Sequence, residues 1–152
     1  MAAIKNGKVE WRTKDGVGYK LLGYFLTCHL VIEHYVDECL KTFYPKIKWD
    51  AAKLTFANRL ALFDLNIEKK FDCLPAIKQM HALRNKISHQ LDFELNLITL
   101  KPLLDYLKQV NPKWPSRLKT PTQVLDAFVM MSCATLAGAI TGRADMIKLT
   151  RP

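Results

Sequence analysis

The sequence contains no uninterrupted apolar run as long as a transmembrane helix. Its most apolar stretch, residues 127–140 (AFVMMSCATLAGAI), is 14 residues long, whereas a transmembrane helix needs about 20. Asp126 and Arg143 bracket this stretch closely. It is therefore interpreted as a buried helix or an oligomer interface, and no membrane partner is expected.

The first residues show no apolar run, and the cysteines form no motif. Its first 16 residues (MAAIKNGKVEWRTKDG) hold no apolar run that could serve as a signal peptide. The four cysteines are scattered without CxxC or Cys/His metal spacing. They are Cys28, Cys39, Cys73 and Cys133. A reduced cytoplasmic protein is therefore expected, with no metal site and no cofactor.

Acidic residues are scarce relative to basic ones. The chain has 23 Lys and Arg against 14 Asp and Glu, a formal net charge of +9, which favours RNA, DNA or an anionic membrane surface as partner. Basicity alone does not choose among the three. The composition, 49% hydrophobic and 24% charged, excludes an intrinsically disordered chain. The length of 152 residues fits one domain with its own core.

Apolar residues recur at helical spacing through most of the chain, and no alternating β-branched run competes. Residues 1–14 are polar and aperiodic, and are interpreted as a flexible N-terminal arm. Residues 15–150 are expected to form a single domain. The predicted helices cover roughly residues 17–43, 51–65, 75–91, 98–110 and 121–142, with a start near Glu68 as the alternative for the third. The expected fold class is all-α, an up-and-down bundle of about five helices.

Local capping signals set the expected helix boundaries. Asp50 is predicted to cap the second helix, and Pro75 suits the first turn of the third. Asn111, which precedes a proline, ends the fourth helix. Thr120 and Gln123 form a capping box at the start of the fifth helix.

The predicted third helix carries an unusual set of polar side chains. At about 100° per residue, five of them gather on the side away from its apolar stripe. They are His81, Asn85, Ser88, His89 and Asp92, with Arg84 at the margin. Nearly all can donate hydrogen bonds, and two are histidines, the residue type that exchanges a proton near neutral pH. This face is the candidate site for chemistry.

The segment HALRNKISHQ in this helix resembles the motif of the HEPN superfamily, an arginine followed by a polar residue, a few more residues and a histidine. Arg84, Asn85 and His89 stand at those positions. The upstream segments HLVIEHYVDECL and LTFANRLALFDL also resemble parts of bacterial HEPN-type proteins, so the resemblance covers about residues 20–95. It implies a four- to five-helix bundle that dimerises in parallel and brings two motifs together in a shared cleft.

Active HEPN members resemble metal-independent ribonucleases, in which the RNA 2′-hydroxyl attacks the adjacent phosphate and leaves a cyclic phosphate and a 5′-hydroxyl. The resemblance implies His89 as general acid or base and Arg84 as the cation on the phosphoryl oxygens. Asn85 is expected to orient the histidine ring or hold the phosphate. The expected substrate contacts in the same cleft are His81, Lys86 and Ser88.

A second candidate RNA contact lies in the proline-rich segment after the fourth helix. Lys113, Trp114 and Arg117 interleave cations with an aromatic ring, a combination that grips phosphates and stacks bases of single-stranded RNA. Trp114 is also suited to packing over the end of the bundle. The packing interpretation is favoured for this residue.

The first helix adds polar residues without an assigned role. His29 lies on the apolar stripe, where a hydrogen-bonded core histidine is favoured over a catalytic one. Glu33 and His34 look family-like, but their role is open. In HEPN toxins silenced by a nucleotidyltransferase antitoxin, a tyrosine follows the motif histidine by two positions. Leu91 stands there instead, so control by nucleotidylation is not expected.

The leading hypothesis is a HEPN-type endoribonuclease in a toxin or phage-defence setting. Its expected partners are RNA, a second copy of the chain and, as a candidate, a cognate antitoxin. The alternative is a non-catalytic HEPN-like module that binds RNA, a nucleotide or another protein; an antitoxin or immunity protein is a third interpretation. In a non-catalytic protein, Arg84 would be a surface ion-pair partner and His89 a cation at a helix C-terminus.

Overall fold

A computed structural model of the chain describes residues 2–5, 8–11, 18–63, 65, 67–90 and 93–149, with side chains for 18–63, 65, 67–90, 93–143 and 145. The elements are β1 (Ala2–Lys5), β2 (Lys8–Trp11), α1 (Tyr19–Phe43), α2 (Trp49–Ala52), α3 (Phe56–Ala61), a 3-10 helix (Lys69–Phe71), α4 (Leu74–His89), α5 (Lys101–Val110), α6 (Trp114–Arg117) and α7 (Pro121–Leu149). The predicted all-α bundle is confirmed.

Part of the predicted N-terminal arm forms a short antiparallel hairpin. β1 pairs with β2 so that Ala2 lies opposite Trp11 and Lys5 opposite Lys8. The sequence pattern gave no sign of these strands, because the segment is polar and its apolar residues do not alternate over a long enough run. The predicted boundary between arm and domain, at residues 14 and 15, lies outside the described residues.

The core is built around α1 and α7, which lie side by side. The Tyr24 hydroxyl donates a hydrogen bond to Asp126 near the start of both helices. Further along, the Cys39 thiol lies 3.3 Å from the Leu136 carbonyl oxygen. Both contacts lie further along α7 as they lie further along α1, so the two helices run parallel. The fully buried side chains on this pair include Phe25, Ile32, Val36, Val124, Leu125 and Phe128.

The predicted continuous helix over residues 51–65 is wrong. Lys53 adopts a left-handed conformation with φ of 46°, which ends α2. The Thr55 side chain then accepts a backbone hydrogen bond and starts α3. Asp50 lies inside α2, whose N-cap is Lys48, so the predicted Asp50 cap is wrong as well. A left-handed residue cannot continue a right-handed helix, and the threonine offers a competing start two residues later.

The start of α4 matches the prediction, since Pro75 lies in its first turn. α5 begins at Lys101 rather than near residue 98, because the Asn96 side chain accepts hydrogen bonds from the Ile98 and Thr99 amides and holds a turn there. α5 ends where predicted, at Asn111.

The predicted capping box at the start of α7 is confirmed. The Gln123 side-chain oxygen accepts hydrogen bonds from the amides of Lys119 and Thr120, at 2.8 and 3.2 Å. In return, the Gln123 amide donates to the Thr120 hydroxyl at 3.3 Å. α7 then continues to Leu149 instead of ending near Gly142. A glycine lowers helix propensity by about 1 kcal/mol, which is too little to end a long packed helix.

α7 contains a longer apolar stretch than the 14 residues recognised in the sequence. Within residues Pro121–Arg143, an 18-residue window has a mean hydropathy of 1.7, so by length and composition this stretch is long enough to cross a membrane. The core helix of a bundle meets the same criteria. The buried residues Val124, Phe128, Ser132 and Leu136 recur every four positions, which is the spacing of a helix that buries one stripe against a core.

Candidate functional site

A connected set of polar side chains runs from α4 to α1. Arg84 Nη1 lies 3.3 Å from Asn85 Oδ1, and Asn85 Nδ2 lies 3.3 Å from His81 Nε2. His81 Nδ1 lies 3.2 Å from His29 Nε2, and His29 Nδ1 lies 3.6 Å from a Glu33 carboxylate oxygen. We call these five residues the polar chain. It leads from the exposed Arg84 to His29, which is only 4% exposed.

Helix geometry explains why these residues meet. His81 and Asn85 are four residues apart on α4, and His29 and Glu33 are four apart on α1, so each pair occupies one face of its helix. α3 closes the space between the helices with Phe56. Its ring lies edge-on to both histidine rings, at centroid distances of 5.2 Å to His29 and 5.2 Å to His81.

Arg84 sets the direction of the hydrogen bonds along the polar chain. Its guanidinium has only donors, so the Asn85 oxygen accepts and the Asn85 amide must donate to His81 Nε2. A neutral His81 then carries its proton on Nδ1 and donates to His29 Nε2. A neutral His29 in turn presents its Nδ1 proton to Glu33. One assignment with two neutral rings therefore satisfies every contact.

The electrostatics favour these neutral rings. Burial, together with the charges of the neighbouring His81 and Arg84, lowers the pKa of His29 to about 4. Burial also lowers the pKa of His81, with Arg84 acting in the same direction. Both rings are therefore held in the neutral form that the hydrogen-bond directions require.

The low pKa of His29 predicts a pH-dependent stability. Its pKa is about 4 in the folded chain and about 6.5 in the unfolded chain, so the unfolded state binds more protons between these values. Stability is then full above pH 6.5 and falls as the pH drops towards 4. Between pH 7 and 5 we expect the free energy of unfolding to fall by about 2 kcal/mol more for wild type than for His29→Gln.

Urea denaturation of both proteins at the two pH values measures this difference. His81 is present in both proteins, and Glu33, whose raised pKa acts in the opposite direction, is present in both as well. Their contributions therefore largely cancel in the comparison. If the free energies of unfolding of wild type and His29→Gln change equally with pH, the pKa of His29 is not lower in the folded chain than in the unfolded chain.

The site contains two arginines in different electrostatic states. Arg59 Nη1 lies 2.7 and 2.6 Å from the two carboxylate oxygens of Asp37, so its charge is neutralised. Arg84 is exposed, and it forms no ion pair with any residue whose side chain the structure describes. Burial and Asp37 raise the pKa of Glu33, against the lowering effect of Arg59 and Arg84. Arg84 is thus the cation of the site that remains available to an anion.

The structure places His89 outside the polar chain. It is the last residue of α4 and is exposed. Because α4 is continuous from Arg84 to His89, the two side chains project about 140° apart. Unwinding of the helix end therefore does not bring them together within one chain.

Other predicted substrate contacts also lie outside the polar chain. The Ser88 hydroxyl donates to the Arg84 carbonyl oxygen at 3.0 Å, which turns it back onto its own helix. Lys86 is exposed. Trp114 in α6 is partly buried against the hydrophobic core, as the packing interpretation predicts, while Lys113 and Arg117 are exposed. Leu91 and Asp92 lie outside the described residues.

The sequence left three parts of this site unassigned. Glu33 had no role, and neither Asp37 nor Arg59 was singled out. The four-residue spacing of His29 and Glu33 matches that of His81 and Asn85, but a spacing within one helix does not reveal which helix lies opposite.

Among the residues described, no three or more His, Cys, Asp and Glu side chains are grouped so that they could hold a metal ion. The chain matches no protein-family model, no curated protein and no solved structure.

Proposed function

We propose that this protein is a HEPN-type endoribonuclease that cleaves RNA without a metal ion, acting as a homodimer. The observation that carries the proposal is the polar chain. It holds a surface arginine that has no carboxylate partner among the described side chains, next to an asparagine and two neutral histidines. Arginine is always charged and can fork onto two phosphoryl oxygens, so it suits a phosphate that gains charge during attack.

Each motif residue has a role in this reaction. Arg84 binds the phosphoryl oxygens, and the Asn85 side chain holds its guanidinium in place. The 2′-hydroxyl oxygen forms a bond to phosphorus while the bond from phosphorus to the 5′ oxygen breaks. His89 of the other chain accepts the 2′-hydroxyl proton, and the departing 5′ oxygen takes a proton from water.

We propose a dimer because α4 is a continuous helix that keeps Arg84 and His89 of one chain apart. Arg84 and His89 of one chain project in different directions, whereas a two-fold axis beside the C-terminal half of α4 brings Arg84 of one chain close to His89 of the other. α1 carries the exposed apolar residues Leu26 and Leu30 near His29, with Leu30 63% exposed. This surface supplies apolar area for such a contact.

The test is incubation of the purified protein with total RNA and tRNA in EDTA, followed by analysis of fragment ends. We expect cleavage that leaves cyclic-phosphate ends, and none from the double variant Arg84→Ala/His89→Ala. Intact RNA even at high protein concentration would contradict the proposal and favour the non-catalytic RNA-binding or protein-interaction module.

The biological setting that we propose is a cytoplasmic toxin or phage-defence protein. A cognate antitoxin is the partner that such a setting would require. Arrest of cell growth by the wild type, but not by the double variant, would fit this setting.

A further inference from the structure

A second concave surface lies at the C-terminal end of α1, where the chain turns into α2. Two adjoining cavities of about 270 and 540 Å³ share Lys41, Trp49 and Asp50 in their linings. We call this surface the Trp49 groove, defined by Lys41, Ile47, Lys48, Trp49 and Lys53. None of the residues assigned to RNA cleavage belongs to it.

The Trp49 groove has an excess of positive charge. Lys48 and Lys53 line it and are exposed, as is the neighbouring Lys46. Within the described part of the chain, these three lysines form no ion pair. Lys53 has a left-handed backbone conformation, with φ of 46°. The groove therefore presents several cations to solvent.

Most carboxylates near the groove are already neutralised. Glu38 pairs with Lys41 at 2.8 Å, and Asp37 pairs with Arg59 at 2.6 Å. Asp50 is the remaining acid in the lining. The unpaired lysines outnumber it, so the surface is complementary to an anion.

Aromatic and apolar surface lies beside these cations. Tyr44 is 42% exposed, and its ring centroid lies 6.4 Å from that of Trp49. The Tyr44 hydroxyl donates to the Leu62 carbonyl oxygen at 3.5 Å, while Trp49 packs against the core. Ile47 is 44% exposed next to them. Two anchored rings and an apolar side chain offer faces on which a nucleobase can stack.

The groove adjoins the polar chain along α1. Asp37 and Arg59 line the smaller cavity. Glu33, the end of the polar chain, lies four residues before Asp37, which is one helical turn. The polar chain and the groove therefore lie about one turn apart along α1.

We propose that the Trp49 groove binds single-stranded RNA next to the cleavage site. Lys48 and Lys53 contact phosphates, and a base stacks on Tyr44 and Trp49. The inference rests on the proposed function, because it takes RNA as the substrate. Interleaved cations and rings in a concave surface favour single-stranded RNA, whose bases are free to stack, over an anionic membrane.

The experiment measures binding of a fluorescent, unstructured RNA by anisotropy, using Arg84→Ala protein so that the RNA stays intact. Two variants are added to this background, Lys48→Ala/Lys53→Gly in the groove and Tyr44→Ala beside it. Glycine is used at position 53 because it tolerates the left-handed backbone. The control is Lys69→Ala/Lys108→Ala, which removes the same charge from exposed positions elsewhere.

We expect the lysine pair to lower the slope of log affinity against log salt by about 1.4, since each phosphate contact of a single strand contributes about 0.7. Tyr44→Ala should weaken binding about fivefold or more. The control should change the slope much less. Equal effects of groove and control pairs would overturn the proposal, since general charge would then explain binding. Groove-dependent binding to phosphatidylserine vesicles but not to RNA would also overturn it.

The inference and the proposed function fail in different ways. Cleavage of RNA by wild type, with binding unaffected by the groove variants, would refute the groove and leave the nuclease. Groove-dependent RNA binding without cleavage would refute the nuclease and support the groove.

Discussion

Arg84→Ala is expected to lower the rate of RNA cleavage by about 10²–10³-fold, the usual loss when one preorganised group facing transition-state charge is removed. The effect should be large because Asp37 neutralises Arg59, so this second arginine of the described site cannot replace Arg84. Arg84→Lys keeps the charge without the planar fork, so it should recover only part of the activity. The initial rate of cleavage of a labelled RNA is measured for wild type, Arg84→Ala and Arg84→Lys.

Lys78→Ala is the matched control for this prediction. Lys78 is an exposed cation on the same helix, and it takes no part in the polar chain. Its removal changes the net charge by the same amount, so the cleavage rate should stay near wild type. Equal losses in Lys78→Ala and Arg84→Ala would mean that the helix attracts RNA through general charge and that Arg84 has no special role.

Mixing two inactive proteins tests whether the site is shared between chains. If Arg84 of one chain acts with His89 of the other, a dimer of Arg84→Ala with His89→Ala holds one intact pair of groups. A wild-type dimer holds two such pairs. Half of the dimers in an equal mixture are mixed and hold one pair each, so about a quarter of wild-type activity should return. Lack of recovery alongside an active wild type would contradict this pairing.

Local sequence signals were sufficient for the helices that carry the site. The periodic apolar residues of α1 and the proline in the first turn of α4 act within a few residues, so the sequence alone predicts both helices. His29 was favoured as a hydrogen-bonded core histidine, and it is buried with a hydrogen bond. Its partner, His81, was not predictable because it lies 52 positions away along the chain.

The Trp49 groove could not have been predicted from periodicity. Apolar residues continue at helical spacing through residues 51–65, and this pattern concealed the break between α2 and α3. The break depends on the left-handed Lys53 and on the Thr55 cap, two local conformations that tertiary packing must stabilise. Since Lys53 lines the groove, the error in the helix prediction and the missed surface have the same physical origin.

Phe128→Ala is expected to lower the free energy of unfolding by about 3–5 kcal/mol, because it removes a large ring from a packed core. Phe128 is 0% exposed, and its ring meets that of Tyr106 edge-on at a centroid distance of 5.7 Å. Urea denaturation in aqueous buffer without detergent measures the change.

Met130→Ala is the matched control, because Met130 lies on the opposite face of α7 and is 57% exposed. Its expected effect is within about 0.5 kcal/mol. A large difference between the two variants would mean that α7 buries one stripe in a protein core, as the four-residue spacing of its buried side chains indicates. Small effects from both, or a wild type that needs detergent to stay in solution, would instead favour the membrane-spanning role that the length and hydropathy of α7 permit.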